Sequence, residues 1–331
     1  MPVVLSATRA LLVALAILAG ALPAWAQART TPPRIGFLNA STAAAAARQI
    51  DAFRQGLREQ GYAEGAGITI EYRFADGRFE RLPQLARELV ELRVDVLVSV
   101  VTEASRAARR ATSTIPIVMV GVGDPVAAGL VASLARPGGN VTGNSSSSAE
   151  TAGKSLELLR EVAPGMRRVA VLWNPANRVF QGQMVEATAA AARSLGLEVS
   201  MQEARDADSV GRAFEAMSRD RVGGLDLMPD PALRALAPRI ASLAIRHRLA
   251  SVSGDLEYPS AGGLIAYSAS SHDLHRRAAV YVARILKGEK PADLPVELPT
   301  TFELVINRKT ARQLGLAIPP PLLLRADRVL E

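Results

Sequence analysis

Cysteine is absent from all 331 residues. That excludes disulfides, thiolate metal sites and attachment of a lipid through a cysteine after a leader. Histidine is scarce: the chain has three copies. His272 and His275 stand at i, i+3 spacing, but no further His or Cys joins them, and no metal is expected. Aromatics are few and do not interleave with basic residues as single-strand nucleic-acid binders require. The formal charge of +7 does not change this. Arg54, Arg58, Arg87, Arg93, Arg109, Arg110, Arg160, Arg167 and Arg168 are scattered among acids, often at helical spacing, which reads as solvated helix faces. No nucleic-acid partner is expected. Gly121-Val122-Gly123 lacks the third glycine of a dinucleotide fingerprint, and Asp124-Pro125 occupies the phosphate approach. Without a P-loop, a nucleophile elbow or a paired His–Ser arrangement in context, the sequence predicts neither an enzyme nor a cofactor. Asn140-Val141-Thr142 has the form of a glycosylation sequon, yet Gly138-Gly139 before it marks an ordinary turn.

One long apolar run is present, at the start. Arg9 precedes Ala10 to Leu22, and Ala24-Trp25-Ala26 offers a small-residue cleavage pattern before Gln27. Residues 1–26 therefore read as a signal peptide, and the run is short for a membrane span. The expected location is the periplasm, reached without a lipid anchor. Roughly 305 residues remain, enough for two domains, with a formal charge of about +6 because only Arg9 leaves.

The remainder alternates strand and helix. Arg34 to Leu38 is a short apolar run ending at Asn39. Ile50, Phe53 and Leu57 mark a helix that stops at Gly61. Ile68 to Tyr72 reads as a strand, Leu82 to Leu92 as an amphipathic helix, and Val94 to Val101 as a strand buried on both faces. Ile115 to Val120 is a fourth strand, its proline near the start. The pattern then repeats. Arg168 to Asn174 echoes Arg34 to Asn39, Gly196 stands for Gly61, Leu197 to Val199 for the second strand, Val222 to Met228 for the third, and Leu249 to Ser253 for the fourth. The expected fold is α/β, with two doubly wound Rossmann-like lobes. Ligands of such sheets sit outside the carboxyl ends of the strands. That nominates Asn39, Thr102, Glu103 and Asp124 from one lobe, and Asn174, Asp230 and Asp255 from the other.

Particular segments carry a family likeness: Arg34 to Leu38, Ala52 to Leu57 with Gly61-Tyr62, Thr112 to Val120, Gly123 to Val126, and Leu134 to Gly143 (LARPGGNVTG). Gly288 to Pro299 and Phe302 to Asn307 (FELVIN) add to it. Together they resemble ABC-transporter substrate-binding proteins of the tryptophan-binding TrpX-like type, with a type I periplasmic binding fold. The resemblance implies a hinged two-lobe receptor, its lobes joined by a multi-strand hinge, that presents a small solute to an ABC permease in the inner membrane. It implies three crossings between lobes, near Asn144–Ser147, Tyr267–Ser268 and Leu298–Thr301. Lobe one would then hold 34–145 plus 267–298, and lobe two 146–266 plus 299–331. A monomer is expected. Asn144 to Ser148 is richer in hydroxyls than the family pattern, and the loops at Met228 to Pro231 and Gly254 to Tyr258 depart from it, which bears on the ligand.

Each nominated residue also has a plain structural role open to it. Asn39 and Asn174 can bind ligand or turn the chain. Thr102, with Glu103 and Ser105, can offer a helix N-terminus to a carboxylate or can simply cap it. Asp124, Asp230 and Asp255 can meet an amine or cap a turn. Ser145 and Tyr267 lie at expected crossings, where Tyr267 can stack on a ligand or hold the hinge. Trp173 can pack against a helix or report on the cleft. The expected solute is an amino acid or a related small carboxylate or aromatic. A sensory module for a membrane receptor or kinase, and a periplasmic enzyme on the same scaffold, are the alternatives.

Overall fold

A computed structural model describes residues 32–331; the signal peptide expected at 1–26 lies outside them. The first half runs β1 (Arg34–Asn39), α1 (Ala43–Glu59), β2 (Thr69–Phe74), α2 (Leu82–Glu91), β3 (Val96–Val100), α3 (Val101–Ala111), β4 (Ile117–Val122) and β5 (Val141–Ser145). Its strands form one parallel sheet in the order β2-β1-β3-β4-β5. Local chemistry explains the elements. β3 is Val-Leu-Val-Ser-Val, buried at every position, as a central strand covered by helices on both faces must be. α1 begins where the Thr42 hydroxyl accepts from the Ala45 amide at 3.2 Å. It ends before Gly61, whose φ of +86° suits a helix stop.

The second half continues with α4 (Ser148–Val162), β6 (Arg168–Trp173), α5 (Arg178–Ser194), β7 (Glu198–Glu203), α6 (Ala207–Arg219), β8 (Gly224–Leu227), α7 (Pro231–Ala235), α8 (Ala237–Arg246), β9 (Ala250–Ser253) and β10 (Ile265–Ala269). Then come α9 (Ser271–Leu286), β11 (Phe302–Asn307), α10 (Arg308–Leu314), α11 (Pro320–Arg325) and β12 (Arg328–Leu330). The second sheet has the order β12-β11-β10-β9-β8-β6-β7. From β7 to β10 it repeats the arrangement of the first sheet. β11 and β12 are additions at one edge, with β11 antiparallel to β10. The protein is thus an α/β molecule with two largely parallel sheets in two lobes.

The chain passes between the sheets more than once. β10 belongs to the second sheet, yet α9 directly after it buries Leu274, Ala278, Ala279, Val282 and Ile285 with Ile35, Phe37 and Phe53 of the first. A Cβ on Gly56 of α1 would lie 2.4 Å from the Arg276 carbonyl oxygen, so these two helices need glycine to meet. Past α9, the Ser145 amide donates to the Glu297 carbonyl at 2.9 Å, laying that segment beside the end of β5. The chain then enters β11 in the second sheet.

Several strand ends lie one or two residues from where the sequence placed them, as β4 does at Ile117–Val122 against the expected Ile115 to Val120, and one of these shifts bears on the site. The strand expected through Val101 stops at Val100, and Val101 has φ +68°. A β-branched residue in that region is strained by about 1–3 kcal/mol. The distortion turns the chain from β3 into α3 with no intervening loop, which sets Thr102 and Glu103 in the first turn of the helix at the strand's end.

Candidate functional site

Asn39, the last residue of β1, and Asn174, the first after β6, perform the same turn chemistry. Asn39 Oδ1 accepts from the Ser41 amide at 2.8 Å and hydroxyl at 2.9 Å. Asn174 Oδ1 accepts from the Ala176 amide at 3.0 Å. Their amide nitrogens are used differently. Asn39 Nδ2 donates to Gln49 at 3.5 Å, a long contact, and Gln49 in turn donates to Ser271 of α9 at 3.2 Å. Asn174 Nδ2 donates to Asp230 Oδ1 at 3.2 Å.

That last contact joins the turn after β6 to the turn after β8. Asp230 also caps α7, accepting from the Ala232 and Leu233 amides at 2.9 and 3.1 Å. Gln181 completes the arrangement. Fully buried, it accepts from the Asn174 amide at 2.6 Å and donates to the Pro229 carbonyl at 3.0 Å. Sequence reasoning passed over Gln181. It is a polar residue on an otherwise ordinary helix, and nothing local marks it as buried.

On the first sheet's edge, Thr102 is buried and its hydroxyl has no hydrogen-bond partner; one oxygen of Glu103 is likewise buried and unpartnered. Leaving such a group unsatisfied costs about 1–3 kcal/mol. The Glu103 carboxyl is held above the usual carboxylate range, chiefly by burial. Its backbone hydrogen bond and Arg106 oppose the rise, while Asp230 adds to it. Glu103 therefore feels an acid that belongs to the other sheet. The strand-end turns of the two lobes lie within electrostatic reach of one another. A direct contact also spans the lobes: Arg48 of α1 lies 3.3 Å from Glu257, in the loop after β9.

The remaining nominated residues are engaged within their own surroundings. Asp124 is exposed and caps a turn, accepting from the Val126 and Ala127 amides at 3.0 and 2.9 Å. Asp255 pairs with Arg234 at 2.5 Å and accepts from the Glu257 amide at 3.1 Å. The Ser145 hydroxyl donates to the Gly123 carbonyl at 3.1 Å and accepts from the Ser147 amide at 3.0 Å. Tyr267 stacks on Phe302 with ring centroids 5.6 Å apart, joining β10 to β11. Trp173 packs with Val171, Met184 and Met228, and its indole N–H is buried without a partner. Among the described residues no group of three His, Cys, Asp or Glu could hold a metal ion, and no helix is long and apolar enough to cross a membrane.

Comparison with known proteins gives concordant results. The family model described as ABC transporter substrate binding protein matches residues 40–330. A tyrosine-binding protein of Clostridioides difficile (strain R20291) is 27% identical over 267 residues, which is 80% of this chain and 75% of that protein. A solved ABC domain from Streptococcus pneumonia in complex with L-Trp is 26% identical with a TM-score of 0.83, covering 91% of this chain and all of that one. A conserved domain protein from Vibrio cholerae is 28% identical with a TM-score of 0.81, covering 90% of this chain and all of that one.

Proposed function

The chain belongs to the ABC transporter substrate-binding protein family, and from that premise we propose that it is an exported receptor for an amino acid bound between its lobes. It is a solute-binding component of an ABC transporter; the identity of the solute and the residues that hold it are the proposal. We place the lobes at 34–145 plus 267–298 and 146–266 plus 299–331, with a monomer working in the periplasm beside an inner-membrane permease.

The observation that carries this reading is the buried, unpartnered Thr102 hydroxyl and Glu103 carboxylate oxygen at the start of α3, where Asp230 of the other lobe adds weakly to the rise of the Glu103 carboxyl. Two acids brought together by closure repel each other, and a buried charge is costly until it is paired. A ligand ammonium beside Glu103 relieves the cost of that buried carboxylate and its repulsion from Asp230. The N-terminus of α3, with the Thr102 hydroxyl, suits the ligand carboxylate. Asn39 and Asn174 frame the site from the equivalent strands, and Asn174 holds Asp230 in place. Asp124, Ser145, Asp255 and Tyr267 act in this reading through turns, ion pairing and the connections between lobes. The relatives that are named for tyrosine or carry L-Trp support an aromatic amino acid as the solute.

Closure then follows from differential affinity: the ligand binds the closed form better because only that form supplies both acids. The test is a panel of the common amino acids, followed by melting temperature and by the emission of Trp173, the only tryptophan outside the expected signal peptide. An aromatic amino acid should raise the melting point by mass action. No shift with any member of the panel would overturn the proposal.

A further inference from the structure

Thr102 and Glu103 are carried to the proposed solute site by an uncommon backbone conformation, and two serines hold it. Among the described residues six non-glycine residues have φ in the left-handed region, and Val101 alone of them is β-branched. Arg93, Arg221 and Arg248 each follow a helix end, where that conformation is the usual stop. Val101, at +68°, instead opens α3 directly from β3. Val100 before it supplies no capping side chain. Sterics oppose a branched Cβ there, so the conformation persists only with support from its surroundings.

The support comes from Ser99 of β3 and Ser105 of α3, both fully buried. The Ser105 hydroxyl donates to the Val101 carbonyl at 2.8 Å, while the Ser99 carbonyl lies farther off at 3.4 Å. The two hydroxyl oxygens are 2.9 Å apart. A serine hydroxyl has one proton to give. With that of Ser105 directed at Val101, Ser99 is the donor to Ser105. Donation thus runs from strand to helix and ends on the strained residue. The Val101 carbonyl shares a rigid peptide plane with the Thr102 amide. Fixing one aims the other, and with it the first turn that carries Thr102 and Glu103.

We infer that Ser99 and Ser105 are positioning residues for solute binding: a hydroxyl clasp that holds Val101 in the left-handed region and so presents Thr102 and Glu103 to the ligand. Fully buried, neither serine meets the ligand itself. A hydroxyl bonded to the carbonyl four residues back slightly disfavours a helix, and alanine is the better helix former. Ser105 therefore serves the junction and not the helix. Without the clasp, Val101 relaxes towards negative φ and re-aims the peptide between 101 and 102. Solute affinity then falls while the core stays packed, a consequence that rests on the solute site proposed above.

The test compares Ser99→Ala/Ser105→Ala in two backgrounds, wild type and Val101→Gly. Replacing both serines leaves neither hydroxyl buried without the other, and melting temperatures show whether each variant is folded. Glycine adopts the left-handed region without steric cost, so it has no need of a clasp. Calorimetric titration with L-tyrosine should show the paired alanines weakening binding at least about tenfold with valine at 101, and about threefold or less with glycine there. A role in packing alone predicts the same factor in both backgrounds, and that result overturns the inference. Where the paired variant does not fold, Ser99→Ala alone is compared in the same way, with about threefold loss beside valine and none beside glycine expected. Amide exchange of the unliganded chain over residues 101–107 reads the clasp without any solute: the paired alanines should speed it at least about tenfold beside Val101 and leave it unchanged beside glycine. Exchange unaltered in both backgrounds, or equally faster in both, also overturns the inference. If the wild type binds no tyrosine, the proposed solute falls and exchange alone decides the clasp, so the two proposals fail separately.

Discussion

Two buried titratable groups, one on each sheet's side of the molecule, should pull stability in opposite directions across the same pH range. Asp226 sits within β8, wholly enclosed, with one carboxylate oxygen unpartnered; burial pushes its carboxyl up to about 7 from an ordinary 3.8. His275 on α9 shares a 2.7 Å hydrogen bond between Nδ1 and the Ser271 carbonyl, and its Nε2 is buried without a partner. Burial pushes it down to about 4 from 6.5, against that backbone bond and with a small further push from His272.

For Asp226 the unfolded chain releases its proton first, so stability falls as pH rises from about 4 to about 7 and is flat beyond. For His275 the unfolded chain takes up a proton first, so stability falls as pH drops from about 6.5 to about 4. At about 1.4 kcal/mol per unit, the full effects are of order 4 kcal/mol for Asp226 and 3 kcal/mol for His275. They nearly cancel in the wild type. Asp226→Asn should expose the histidine slope, with stability rising by roughly 3 kcal/mol from pH 4 to 6.5. His275→Asn should expose the opposite slope, falling by roughly 4 kcal/mol between pH 4 and 7. Urea unfolding of the three proteins at half-unit pH intervals measures both. Parallel profiles for the wild type and Asp226→Asn would refute the reasoning.

Other substitutions test particular contacts. Gly143 has φ +131°, and a Cβ there would lie 2.1 Å from the Met119 carbonyl oxygen; Gly143→Ala should cost more than about 2 kcal/mol. Gly65→Ala, with φ +81° and open space around it, should cost only about 1–2 kcal/mol; denaturant midpoints separate the two. Val101→Gly should be at least as stable as Val101→Ala, because relief of about 1–3 kcal/mol of backbone strain offsets the entropy glycine adds. Removing the Arg48–Glu257 contact with Glu257→Gln should loosen solute binding by no more than about fivefold, the range of an exposed pair, and 0.5 M salt should erase the difference.

The repeated order of strands was legible because it rests on local periodicity: Val94 to Val100 could be nothing but a strand with two covered faces. The edge strands β11 and β12 were not legible as additions to the sheet, since neither has a counterpart in the first half. Val101 was assigned to the strand on its residue type, which gives no warning of a left-handed backbone. The strand-end rule nominated Thr102, Glu103, Asn174 and Asp230 from the order of elements alone. It could not show that Asn174 donates to Asp230, 56 residues away, or that Gln181 holds both turns, because those contacts exist only once the sheet is assembled. Asp255 looked equivalent to Asp230 in sequence; its pairing with Arg234, itself 21 residues distant, gives it a different task.

The central claim is that closure is governed by an acid from each lobe meeting one ligand ammonium. Calorimetric titration of the mature chain with L-tyrosine and with its analogue lacking the amine, 3-(4-hydroxyphenyl)propionate, tests it most directly. The account predicts one-to-one binding of tyrosine, weakened at least about tenfold by either Glu103→Gln or Asp230→Asn, and at least as severely by loss of the amine. Equal affinity for the two compounds, or tyrosine binding untouched by both substitutions, would contradict it.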